Sequence, residues 1–374
     1  MRKSKNKKVV VAMSGGVDSS VAAALLKKAG LGVVGVFMKF WNEPQSSSKR
    51  INTDKNTDLH RYENRCCSTE SEKRARKVAK ILKIPFYVFN FEKEFKKRIV
   101  DYFLKENKKG LTPNPCVVCN KEIKFGLLLE KALTLDADYL ATGHYARVKK
   151  IENRKQKIEY KLLKGRDKDK DQSYFLWKLN QNQLKRILFP IGNYTRKEVE
   201  NLARKFKLPV LKARKSVEIC FIQTTINDFF KKYLKKKPGA IADTQGKIIG
   251  EHQGLWFYTI GQRKGIGLAG GPYYVLDKNL KRNTLIVTKK EKDLYKKELV
   301  AKNVSWISGR EPKLPLKVKV KIRYKSELAT AILTKNLQFT IYNLQFARSQ
   351  RAITPGQSVV FFKGQEVLGG GIIC

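Results

Sequence analysis

The stretch Val9-Val10-Val11-Ala12-Met13-Ser14-Gly15-Gly16-Val17-Asp18-Ser19-Ser20-Val21 decides how this chain is read. Three β-branched residues in a row, Val9 to Val11, predict a buried strand, and Val21 to Leu26 continue as an amphipathic helix. Gly15 and Gly16 lack a Cβ, so the backbone between the two elements can turn tightly and come close to an anion. The first N–H groups of the helix point at that anion, and the helix dipole favours its charge. Ser14 and Ser19 add hydroxyl donors, while Ala12, Met13 and Val17 frame the turn. Asp18 is out of place beside a phosphate unless a divalent cation lies between them. The Gly-x4-Gly-Lys-Ser/Thr pattern of a Walker-type phosphate loop is absent here.

Outward from this unit, strands and helices alternate. Val33 to Phe40 predicts a second strand, Glu70 to Leu82 a helix and Phe86 to Phe89 a strand. A helix from Phe91 to about Glu106 follows. After the Pro-bounded Leu111-Thr112-Pro113-Asn114-Pro115-Cys116, another helix is expected from Asn120 to Leu133. Tyr139 to Thr142 forms a strand that ends in Gly143-His144-Tyr145-Ala146. The polar, patternless segment Glu43 to Glu63 reads as a mobile loop. This is the pattern of a doubly wound parallel sheet, whose ligands bind at the carboxyl ends of the strands, where both Gly-bearing turns fall. From about Lys207 the texture changes to short alternating segments with Gly-rich turns, such as Gly254 to Leu276, Lys317 to Tyr324 and Ser358 to Ile373. They predict small barrel-like β domains. The expected division is an α/β domain over 1–206, a central β-rich domain over 207–275 and a C-terminal β-barrel over 276–374.

The chain has 374 residues, enough for two or three domains, and no apolar run approaches the roughly 20 residues of a membrane span. The N-terminus leads straight into the first strand, so no signal peptide is expected and the reading is cytoplasmic. With 79 Lys and Arg against 33 Asp and Glu, the net charge is +46. That suits a polyanionic partner, although the lysines are spread along the whole chain and also fit a merely tolerant surface.

Six cysteines occur, and in a reducing compartment they do not read as a disulfide framework. Only Cys116 and Cys119 have the close spacing of a zinc pair, and no histidine supplies a second pair. Redox or sulfur chemistry is the better reading. Cys119 is expected at the start of the helix after the two prolines, with Lys121 and Lys124 nearby, which favours the nucleophilic thiolate. Ile123, Leu127 and Leu128 are expected on that helix's buried stripe. Cys220, among the alternating apolar residues Val217, Ile219 and Phe221, suggests a strand or strand end and by itself reads as a core position.

In series, Ser14 to Ser19, Asn114 to Gly126, Ala141 to Arg147, Lys170 to Trp177, Glu218 to Ile222, Phe257 to Gly265 and Arg351 to Phe362 resemble the bacterial tRNA-uridine 2-sulfurtransferases, also called tRNA-specific 2-thiouridylases. The first of these stretches is similar to the pyrophosphate loop of enzymes that split ATP into AMP and pyrophosphate. The resemblance implies exchange of oxygen for sulfur at C2 of a tRNA wobble uridine. It implies ATP and Mg²⁺ as cofactors, with Ala12 to Ser19, Met38 and Gly143 at the ATP site and Asp18 toward the cation. It makes Cys119 the nucleophile and Cys220 the persulfide carrier, loaded by a sulfur-donor protein. The resemblance implies either direct attack by the terminal sulfur on C2 or release of hydrosulfide by Cys119, and both routes can leave a Cys119–Cys220 disulfide. Asn114, Pro115 and Cys116 correspond to the stretch that meets the target base. Lys170, Asp171, Gln172, Arg323 and Tyr324 correspond to tRNA contacts. Two departures stand out. Some members carry Asp at the position of Cys116, and Arg214-Lys215-Ser216 replaces a frequent Lys-Asp-Ser. The resemblance gives Cys66-Cys67 no role.

Overall fold

The computed structural model describes residues 7–43, 68–152, 156, 158–211, 219–336, 338 and 340–374. The expected mobile loop beyond Glu43, the Cys66-Cys67 pair and Arg214 to Ser216 lie outside the described residues. Glu43 itself is buried. The chain forms two units, one of residues 1–99 and 118–224, the other of 100–117 and 225–374.

The first unit is built on five parallel strands: β1 (Lys8–Ala12), β2 (Gly32–Lys39), β3 (Phe86–Asn90), β4 (Tyr139–Ala141) and β7 (Ile187–Leu188), in the order β3-β2-β1-β4-β7. Val9 pairs with Val33 on one side and Tyr139 on the other. A strand flanked on both edges and covered on both faces must be apolar throughout, and Val9, Val10 and Val11 are fully buried. Each such side chain contributes about 1.5–3 kcal/mol. Helix α1 (Val17–Lys28) buries Val21 to Ala24 in the same core as α2 (Thr69–Ile81), and α8 (Arg196–Lys205) joins them through Val199 and Ala203. Strand order reverses at β1, so the turns after β1 and β4 flank the crevice where such sheets bind ligands. A hairpin of β5 (Ala146–Glu152) and β6 (Ile158–Lys164) follows β4.

Helix formation after the two prolines begins earlier than expected. The helix starts at Pro115, runs through a π-helical stretch at Asn120–Leu127 and ends at Thr134. Proline suits a first helical position, where its missing N–H has no partner to lose. The wider π turn shifts the buried stripe to Cys119, Ile123, Leu128 and Ala132, and Leu127 is left half-buried.

In the second unit, β8 (Gly239–Ala242), β9 (Ile248–His252), β10 (Tyr274–Asn279) and β11 (Thr284–Thr288) form a small sheet in the order β10-β11-β8-β9 around Ile241, Leu255, Val275 and Val287. The last six strands are β12 (Tyr295–Trp306), β13 (Leu316–Lys321), β14 (Ala329–Asn336), β15 (Ile341–Arg351), β16 (Ser358–Lys363) and β17 (Glu366–Ile373). They pair in the order β12-β15-β14-β13-β16-β17, and β12 also pairs with β17, which closes a barrel. Its core includes Val318, Val320, Leu344, Phe346, Val359 and Phe361. The fold class read from the sequence is the one observed.

Candidate active site

Gly15 has φ +73°, and a Cβ there would lie 2.2 Å from the Ser71 carbonyl oxygen of α2. Only glycine lets the loop pass so close to α2 in this backbone conformation. Arg74 fixes the approach by donating to the Gly15 carbonyl at 3.2 Å and to Ser71 Oγ at 2.9 Å. Across the crevice, a Cβ on Gly143 would fall 2.6 Å from Ser19 N, so the turn after β4 presses on the first turn of α1. Gly16 opens α1 without any side-chain cap, which leaves first-turn N–H groups for an anion.

The two serines divide the work. Ser19 is buried; its Oγ accepts from Ser14 N at 3.1 Å, lies 3.2 Å from Ser14 Oγ and donates to the Gly16 carbonyl at 3.3 Å. Its hydroxyl closes the loop, and Ser14 is the exposed one. Ala12, Met13 and Val17 are buried beneath, and Met38 sits half-buried near the carboxyl end of β2.

Asp18 is held by two side chains to which the sequence reading gave no role. Tyr145 Oη and Arg196 Nη1 both donate to Asp18 Oδ1 at 2.8 Å. Burial raises the Tyr145 phenol well above its ordinary range, and the adjacent Asp18 charge raises it further. For Arg196, burial works against the cation, but Asp18 and Glu200 outweigh it and the pKa rises. Arg196 is placed by its helix. Thr195 and Glu198 form a capping box at the start of α8, and the Arg196 N–H donates to Asp167 Oδ2 at 2.8 Å. Magnesium is usually bound through one or two carboxylates plus substrate phosphates. Oδ1 is taken by two donors, while among the described residues none donates to the second oxygen, which can face such an ion, and the Asp18 side chain is 35% exposed. Among the described residues, no group of three or more His, Cys, Asp or Glu is gathered to hold a metal ion alone.

Beside Gly143, His144 Nδ1 lies 2.7 Å from Thr142 Oγ1, and its ring packs against Phe125 and Phe189. Burial, helped by Lys124, pushes its pKa well down, so the neutral ring is favoured. Phe125 belongs to the helix that carries Cys119, which is 6% exposed. Cys119 stands a full turn inside that helix, so the dipole assigned to it from the sequence acts on Pro115 and Cys116 instead. Cys220 lies in a turn and not on a strand. The next residue, Phe221, is buried edge-on to Phe95 with centroids 5.8 Å apart, and Phe95 stacks on Phe40 at 4.6 Å. Phe40 follows β2 by one residue, so this aromatic cluster ties the Cys220 turn to the Met38 end of the sheet. Cys116, Cys119, Cys220 and Cys374 are not disulfide-bonded.

The expected RNA-contact positions are less uniform. Lys170 is exposed, but Asp171 is buried and accepts from the Gly165 and Ser173 N–H groups at 2.9 and 3.1 Å. Gln172 turns inward to the main chain of Tyr145. Asn114, Pro115 and Cys116 belong to the second unit, as do Arg323 and Tyr324. One Arg323 nitrogen donates to the carbonyls of Ile260 and Ala352 and to Thr354 Oγ1 at 3.3, 2.6 and 2.6 Å. Tyr324 is half-buried, and its carbonyl accepts from Lys321.

Comparison with known proteins finds family matches over three stretches of the chain. Residues 7–224 match a family described as the tRNA methyl transferase HUP domain, 227–289 the tRNA methyl transferase PRC-barrel domain and 296–373 the aminomethyltransferase beta-barrel domain. The tRNA-specific 2-thiouridylase MnmA 1 of Caldanaerobacter subterraneus subsp. tengcongensis is 48% identical over 372 residues, 98% of each chain. The corresponding protein of Clostridioides difficile is 44% identical over 372 residues, again 98% of each chain.

Proposed function

Because the chain belongs to the tRNA-specific 2-thiouridylase family, we propose that it replaces the C2 oxygen of a tRNA wobble uridine with sulfur, using ATP to activate that oxygen. A uracil C2 oxygen is a poor leaving group. Its attack on the α-phosphate of ATP releases pyrophosphate and leaves an adenylate, from which AMP departs readily. The loop from Ser14 to Ser19 and the uncapped start of α1 hold the phosphates, with Met38 and Gly143 bordering the nucleotide. Asp18 would hold the accompanying magnesium, which would supply charge neutralisation on the phosphates.

Sulfur reaches the site as a persulfide on Cys220, loaded by a donor protein. The terminal sulfur attacks C2, AMP leaves, and the Cys119 thiolate then attacks Cys220 Sγ. That attack frees the thiolated base and forms a Cys119–Cys220 disulfide, which an external thiol reductant reopens. Asn114, Pro115 and Cys116 face the target base in this reading, and Lys170 to Gln172 with Arg323 and Tyr324 contact the tRNA. With Cys116 where some members carry Asp, acid–base assistance has no carboxylate at that position.

The observation that carries the reading is that the Gly15–Gly16 loop, Cys119 and Cys220 all belong to one unit, with the Cys220 turn anchored at the Met38 end of the sheet. The description of the matching family speaks of methyl transfer, but methylation gives neither a pyrophosphate loop nor a pair of thiols any work. The test is incubation of the protein with ATP, Mg²⁺, a persulfide donor and an unmodified tRNA transcript. Nucleoside mass spectrometry is expected to show 2-thiouridine together with equimolar AMP. Absence of both 2-thiouridine and AMP from a folded protein that binds the transcript would reverse the assignment.

A further inference from the structure

Residues 166–172 connect β6 to the helical turn at Ser173 and expose Lys168 and Lys170 to solvent. Two exposed lysines on one short connection suit the phosphates of an RNA. On its inner side, two separate hydrogen-bonded routes run from this connection to a single oxygen, Asp18 Oδ1. Along the first, Gln172 grips the main chain of Tyr145 from both directions. Its N–H donates to the Tyr145 carbonyl at 2.9 Å, and its Oε1 accepts from the Tyr145 N–H at 3.0 Å. The Tyr145 hydroxyl then donates to Asp18. Along the second, Asp167 Oδ2 accepts from the Arg196 N–H, and the Arg196 guanidinium donates to Asp18.

The connection is itself shaped from within. Asp167 Oδ1 accepts from the N–H groups of Asp169 and Lys170 at 3.0 and 3.1 Å, and buried Asp171 binds its two ends at Gly165 and Ser173. Fixing the connection therefore fixes both donors of the Asp18 clamp.

We propose that residues 166–172 are a linkage element, through which RNA bound on the outer face and nucleotide bound at the Ser14–Ser19 loop each tighten the other's binding. The inference rests on the reading of ATP and tRNA as the two ligands. Its physical basis is shared ordering. A ligand that immobilises the connection also immobilises Tyr145 and Arg196, so the second ligand finds Asp18 already oriented and meets a smaller entropy cost. Thermodynamic reciprocity requires the same factor in both directions. Tyr145 is a positioning residue here, acting through Asp18. The Arg196–Glu200 pair at 2.7 Å keeps Arg196 anchored when Tyr145 is altered.

The experiment uses the full chain, α,β-methylene ATP with Mg²⁺ as the nucleotide and an unmodified tRNA transcript. The dissociation constant of each is measured alone and at saturation of the other. The wild-type protein is expected to show a coupling factor of about 5–150, equal in the two directions. Tyr145→Phe cuts one of the two routes and is expected to lower the factor at least about threefold while leaving the tRNA constant measured alone unchanged. If Tyr145→Phe fails to fold, Arg196→Met removes the donor of the second route and is expected to lower the factor as well, an unchanged factor there overturning the inference. A wild-type factor of unity overturns the inference, and so does a folded Tyr145→Phe protein with the full factor, even one that melts earlier. Failure of either ligand to bind at all sinks the proposed function and this inference together, whereas independent binding of both sinks this inference alone.

Discussion

In the parallel sheet of the first unit, β1 is buried on both faces, and its polar work is pushed to the turn at its end, where Ser14, Asp18 and Ser19 sit. In the barrel of the second unit the polar groups run along the strands. β13 alternates buried Val318 and Val320 with exposed Lys317 and Lys319, and Leu344 and Phe346 continue the inward set on β15. One region concentrates its chemistry at a point, and the other spreads charge over a surface. A substitution at the sheet's end should therefore remove one activity sharply. The same size of change in the barrel should act on stability or on general affinity for RNA.

The sharpest test of that contrast is at the thiols. Cys119→Ser and Cys220→Ser are each expected to cut 2-thiouridine formation to below about one thousandth of wild type, with barrel unfolding unchanged. Nucleoside mass spectrometry alongside denaturant titration reads both. Full activity in either variant would remove the two-thiol mechanism.

Gly15→Ala comes next. The left-handed backbone and the Ser71 carbonyl 2.2 Å away together cost about 2–4 kcal/mol, or roughly 30- to 1000-fold in nucleotide affinity. Calorimetry with an ATP analogue measures this, and tRNA binding without nucleotide should be unaffected. Phe361→Ala in the barrel core is the converse case. A cost of about 3–5 kcal/mol in stability is expected, with nucleotide affinity within twofold of wild type.

The smallest effect is on pH dependence, and it separates the units. In the first unit the neutral form of His144 is favoured in the fold, by burial and by Lys124, so its contribution is present above about pH 6.5 and is lost as acid protonates the unfolded chain first. In the second unit burial brings the Lys278 pKa down to about 8, against the pull of Asp277. The folded state then binds fewer protons between pH 8 and 10.5, and stability rises with pH across that window. Urea unfolding from pH 5 to 10.5 is expected to show an acid-side slope weakened by His144→Gln and an alkaline-side slope weakened by Lys278→Met. Slopes unmoved by either change would mean other groups set the pH response.

How much of this was legible depends on how local the cause is. Val9 to Ser19 announce strand, turn and helix within a dozen residues, and the alternation of β13 is visible at sight. The start of the helix at Pro115 was missed because two prolines read as extended chain, although one of them fits a first helical position. The π stretch that moves Leu127 off the buried stripe leaves no trace in apolar spacing. Cys220 looked like a strand because Ile219 and Phe221 alternate, yet Phe221 is buried by Phe95, far away in the chain. The partners of Asp18 were invisible for the same reason, since Tyr145 is 127 residues away and Arg196 is 178. Lys170 to Gln172 came as a block from the family resemblance, and only the fold separates the outward lysine from the inward glutamine.

Arg323 carries a last consequence. Because a single guanidinium nitrogen reaches Ile260 as well as Ala352 and Thr354, it stitches the Gly-rich turns of the central sheet to the loop between β15 and β16. In the function proposed above, a long, stiff nucleic acid that seized either surface would inherit the alignment of its neighbour and need not impose it. Severing that stitch should show as slower, more heterogeneous docking of the RNA well before any loss of folded protein.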